Sequence, residues 1–89
     1  MEDLGHPVSY LVAKRGIPVF SSDGQKLGRV VRVQAAPEAN MFDGIVFDTT
    51  RGPGGHRFVD APEVDLIYER GVVLKIDAAA AASLPKPRR

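Results

Sequence analysis

The sequence predicts an all-β domain of about six short antiparallel strands, followed by a short C-terminal helix. Three observations carry that prediction. Apolar, β-prone runs recur along the chain, and each is closed by a turn-forming cluster such as Ser22-Asp23-Gly24, Arg51 to Gly55 or Glu69-Arg70-Gly71. Within the runs, apolar and polar residues alternate with the period of a half-buried strand. The long strand–helix alternation of a doubly wound domain is absent. Eighty-nine residues with 44% hydrophobic content make one small domain with a thin core, and self-association is a common remedy at that size.

The chain divides into a polar, flexible arm at 1–8, a β-body at 9–77 and an Ala-rich helix with a basic tail at 78–89. Ser9 to Lys14 contains Tyr10, Leu11 and Val12 and is too short to settle between strand and helical turn. The clearest element is the hairpin from Pro18 to Val33. Asp23 bonds its own backbone in a turn, and Gly24 accepts positive φ cheaply. In the second arm, period two puts Leu27, Val31, Val33 and Ala35 on the dry face, with Arg29 out of place there. Arg32 and Gln34 fall on the wet face, with Val30 out of place. Gly28 implies a bend or a close backbone approach.

Ala36 to Asn40 is a turn, and Met41 to Thr50 the next strand. That strand is apolar on both sides: Met41, Ile45 and Phe47 on one, Phe42 and Val46 on the other. A second face needs cover. It comes either from a second copy of the chain, or from Tyr10, Leu11 and Val12 or the Ala-rich helix. His56 to Ala61 is a strand interrupted by Pro62, and Val64 to Glu69 follows. Val72, Leu74 and Ile76 then share one face of the last strand, with Lys75 on the other. Asp77 before Ala78 to Ala82 is a helix start, and Pro85 ends the helix.

The order of these pieces resembles the PRC-barrel family. The residues that carry the likeness are Ile17-Pro18-Val19, Ser22-Asp23-Gly24, Leu27-Gly28-Arg29-Val30, Asp43 to Phe47, His56 to Ala61 with Val64, and Gly71-Val72-Val73-Leu74. The chain looks most like a small stand-alone actinobacterial type, to which Arg51 to Phe58 and the Ala-rich Leu84-Pro85 segment are similar. The resemblance implies a small barrel of roughly six strands that serves in assembly or docking. It carries no catalytic residues. Relatives include the cytoplasmic part of a photosynthetic reaction-centre subunit and the C-terminal domain of a ribosome-maturation factor.

Composition narrows the function classes. There is no cysteine, and hence no disulfide framework and no thiolate site, which fits a cytoplasmic protein. Twelve basic against eleven acidic residues leave a net charge of +1, without the footprint of a nucleic-acid binder. No apolar run is long enough for a membrane helix, so no membrane insertion is expected. His6 and His56 lack the spacing of a metal set. Ser21 or Ser22 with His56 and an Asp would need a nucleophile elbow that the sequence does not contain. No catalytic residue, metal or cofactor is therefore expected. The candidate interaction residues are Tyr10, Leu11, Phe42 and Val46, in a homodimer or against another protein. The candidate anion or partner loop is Arg51, His56 and Arg57. The leading function is a non-enzymatic, self-associating interaction module. The alternative is an RNA- or ribosome-associated module using the arginine-bearing loop, Lys14, Arg15, Arg29, Arg32 and the basic tail.

Overall fold

The structure is a computed structural model and describes residues 3–49 and 55–87. Six strands form one sheet: β1 (Pro18–Phe20), β2 (Lys26–Ala36), β3 (Met41–Asp48), β4 (His56–Asp60), β5 (Val64–Tyr68) and β6 (Gly71–Leu74). Their order across the sheet is β4-β3-β2-β1-β6-β5. One helical turn, α1 (Ala78–Ala81), follows β6.

The all-antiparallel expectation fails at one ladder. β1 and β6 run parallel, with Val19 opposite Val72 and Phe20 opposite Val73. The cause is the corner between β4 and β5. These strands are joined by only three residues, the 3₁₀ turn Ala61–Glu63, yet they are the two edges of the sheet. Four connections reverse the chain and this one does not, so β6 returns in the direction of β1. Pro62 in the corner has no N–H for a ladder and suits this break. A flat six-stranded sheet would hold its edges about 24 Å apart. Three linking residues reach at most about 14 Å, so the sheet curls until β4 ends beside the start of β5. No ladder joins β4 to β5 among the described residues, so strand pairing does not close the sheet.

Bulges decide which side chains enter the core. Val31 has no partner between the pairs Val30–Phe47 and Arg32–Val46, and the extra residue shifts the alternation. Val30, assigned to the wet face by period two, is thus a core residue at 2% exposure, while Val31 is only half-buried. A second unpaired residue, Asp43, separates Gln34–Gly44 from Ala35–Phe42. Phe42 consequently packs against the core, and Met41 faces out. The core comprises Val19, Val30, Ile45, Phe47, Val59, Val64, Ile67, Val72 and Leu74. Each such side chain contributes about 1.5–3 kcal/mol on burial.

Both sheet edges are covered by the chain's own ends. The arm expected to be loose lies along β5: Val8 N–H donates to the Ile67 carbonyl, Glu69 N–H to that of His6 and Arg70 N–H to that of Leu4. Leu4 is buried against Gly71 and holds the arm down. At the other edge, Phe58 N–H donates to the Pro85 carbonyl at 2.8 Å, and Leu84 packs on the core. The predicted helix start is in place: the Asp77 carboxylate accepts the Ala80 N–H at 2.8 Å. No described helix is long and apolar enough to cross a membrane.

Candidate functional site

The most unusual surface is built where the N-terminal segment crosses β2 and β3. Tyr10–Val12 is a 3₁₀ turn, started by the Ser9 hydroxyl accepting the Leu11 N–H at 3.1 Å. This turn lays the Tyr10 ring on the Phe42 ring, with centroids 5.1 Å apart and planes 11° from parallel. The stack seals Phe42 from inside the chain. Its flanks are open: Leu11 is 62% exposed, Val12 59% and Met41 55%. The Tyr10 hydroxyl is buried without a hydrogen-bond partner among the described residues.

A groove of about 300 Å³ runs between this segment and β2. Tyr10, Leu11 and Ala13 form one wall; Val30, Val33 and Ala35 supply an apolar floor. Arg15 and Arg32 border the groove, with the Arg32 side chain on the face of β2 shared with Gln34 and Val46, and no acidic residue lines it. Neither arginine has an ion pair among the described residues; Arg32 Nε donates only to the Gln34 side-chain oxygen, at 3.3 Å. The segment is held against β2 by Arg29, whose guanidinium donates to the Gly16 carbonyl at 2.8 Å, and by Gly16 N–H donating to the Val30 carbonyl.

Of the four candidate interaction residues, the structure brings Tyr10, Leu11 and Phe42 together and separates Val46. Val46 is fully buried, with Arg32 and Phe58 as its cross-strand neighbours. It is therefore not on a free face in this chain. The reason is local: the C-terminal tail reaches Phe58, and the bulge at Asp43 moves Phe42 off the side that Val46 occupies. Periodicity missed Val12 and Met41, because no pattern distinguishes an exposed apolar residue from one in the core. Arg15 and Arg32 stood out only as basic residues, since their bordering one groove is a tertiary fact.

Of the loop candidates, Arg51 lies outside the described residues. His56 is exposed at the start of β4, opposite Asp48, and Arg57 donates to the His56 carbonyl at 3.0 Å. The hairpin is clasped at its base by Thr49, whose N–H and hydroxyl both donate to the Gly55 carbonyl. Among the described residues no group of three His, Asp or Glu side chains converges on a metal position.

The Ser21 to Gln25 turn has a structural task. Ser21 is fully buried; its hydroxyl donates to the Asp23 carboxylate and accepts the Gln25 N–H. Asp23 also accepts the Ala78 N–H at 3.2 Å, tying the hairpin to the first turn of α1. Donation from Ser21, with backbone N–H groups including that of Ala78, holds the Asp23 carboxyl below its ordinary value of 3.8. The Ser21 hydroxyl is thus engaged within the turn. A second cleft, of about 490 Å³, lies beside β4 between Asp43, Asp60, Phe58 and the tail residues Pro85 and Lys86.

No protein-family model matches this sequence, and no curated protein matches it.

Proposed function

We propose that this chain is a non-enzymatic protein-interaction module that associates with itself. The observation behind the reading is the open apolar surface around the Tyr10–Phe42 stack, where Leu11, Val12 and Met41 are all more than half exposed. Large apolar side chains grouped on a small domain mark a docking surface. The same reading takes the curled sheet as a PRC-type barrel working in the cytoplasm. Its support is the residue pattern from Ile17 to Leu74, the curl required by the Ala61–Glu63 corner and the lack of cysteine. Sedimentation equilibrium tests it: the mean mass rises with concentration in the micromolar range, and Leu11→Asp lowers it toward 9.6 kDa. A constant monomer mass up to high micromolar concentration overturns the reading.

One observation favours a second reading, an RNA- or ribosome-associated module. Arg15 and Arg32 border one groove, and Arg29 holds Gly16 beside it. A gel shift with single-stranded RNA separates the two: phosphate contacts weaken steeply with salt, whereas apolar association does not.

A further inference from the structure

The chain's own tail covers the β4 edge through a single backbone bond. Phe58 N–H donates to the Pro85 carbonyl at 2.8 Å, and no other backbone bond joins the tail to β4 among the described residues. The Phe58 carbonyl points the same way as its N–H, away from β3, since both backbone groups of a residue lie on one side of an antiparallel ladder. A true added strand would return a bond to that carbonyl. An antiparallel tail would return it from residue 85, and a parallel tail from residue 87. Both positions are proline, which has no N–H. The tail therefore covers the edge without pairing to it in either direction, and the Phe58 carbonyl accepts no bond among the described residues.

The cleft beside this edge sets the chemistry of a better-fitting strand. Register puts Gln34, Phe58 and Asp60 on one face of the sheet, and the Phe58 ring lies over Gly44. Asp43 and Asp60 border the cleft; both are exposed, and neither has an ion pair among the described residues. Lys86 of the tail borders the same cleft without pairing to either carboxylate.

We propose that the β4 edge is a strand-addition site for an extended basic segment of a partner protein, with the tail as its displaceable cover. The segment exchanges both backbone bonds with Phe58. It places an apolar side chain beside the Phe58 ring and a basic one beside Asp43 and Asp60. The tail of a second copy is not the occupant, because it carries the same two prolines and adds no bond to the one already present. The site is separate from the surface around the Tyr10–Phe42 stack, so it stands or falls apart from self-association.

The test titrates synthetic peptides into the full wild-type chain and follows its amides by NMR. The first peptide is acetyl-Ser-Leu-Val-Lys-Val-Arg-Arg-amide, the 83–89 sequence with valine in place of both prolines. It is expected to bind saturably, shifting the amides of His56, Phe58 and Asp60, and those of Leu84 and Lys86 as the tail leaves. A second peptide that keeps the prolines is expected to bind on the order of tenfold more weakly, because it cannot donate to the Phe58 carbonyl. A third, the valine peptide with glutamate in place of its lysine and arginines, is expected to weaken by a similar factor, of about tenfold, through repulsion by the two carboxylates. In the double variant Asp43→Asn, Asp60→Asn the difference between basic and acidic peptides is expected to shrink. No saturable shift with the valine peptide up to millimolar concentration, or shifts that leave β4 unmoved, overturns the site. Equal binding of the valine and proline peptides overturns strand addition. Equal binding of the basic and acidic peptides, or a difference that survives in the double variant, overturns the basic partner.

Discussion

At the residue scale, three side chains give separate tests. The buried Tyr10 hydroxyl has no partner among the described residues, and an unmet buried hydroxyl costs about 1–3 kcal/mol. Tyr10→Phe keeps the stack on Phe42 and removes that cost, so its urea midpoint is expected to equal or exceed that of the wild type. A fall of more than about 1 kcal/mol would show that the hydroxyl is bonded. Gly28 is held to glycine by close approach: a Cβ there meets the Asp48 carbonyl. Gly28→Ala is expected to cost about 1–3 kcal/mol in equilibrium unfolding, and a neutral result would refute the close approach. Asp23 sets an acid limit. Its folded pKa is depressed, so its stabilising bonds are fully present above 3.8 and are lost as pH falls through the lower folded value. The difference in Tm between wild type and Asp23→Ala should thus be constant from pH 7 to about 5 and shrink below about 3.8. A difference that persists undiminished at pH 2 would assign the effect to something other than the carboxylate.

At the scale of elements, local signals were readable and nonlocal ones were not. Ser22-Asp23-Gly24 and Asp77 before the alanines act within a few residues, so the first hairpin and α1 follow directly from the sequence. The bulges at Val31 and Asp43 depend on how two strands meet, and each exchanged the sides of neighbouring residues: Val30 for Val31, Phe42 for Met41. The candidate surface was half legible for the same reason. The apolar character of Tyr10, Leu11 and Phe42 is in the sequence, but the burial of Val46 and the stacking of Tyr10 on Phe42 come from tertiary packing. The tail is an element with a testable role. Truncation after Ser83 removes the Pro85 carbonyl from the Phe58 N–H. The Phe58 amide is then expected to exchange faster than in the full chain, and the bared β4 edge to promote aggregation. Unchanged exchange at Phe58 would mean that the tail does not guard this edge.

At the scale of the whole molecule, the curled sheet is drawn together by two features: the three-residue corner at Ala61–Glu63, which joins its two edges, and the parallel ladder of β1 with β6, which are far apart in the chain. The second has a consequence for synthesis. Val72 lies 53 residues after Val19, its partner, by direct subtraction of their positions. At ordinary elongation rates of about 5–20 residues per second, roughly 3–10 s pass between the translation of one and the other. Once β2 is made, in the later part of that interval, the first hairpin can form with β1's free flank bare, while neighbouring ribosomes on the same message carry identical segments. The ladder that finishes the native sheet is thus also the one that sets the window for nascent chains to pair with each other, and slow codons between β4 and β6 would widen it.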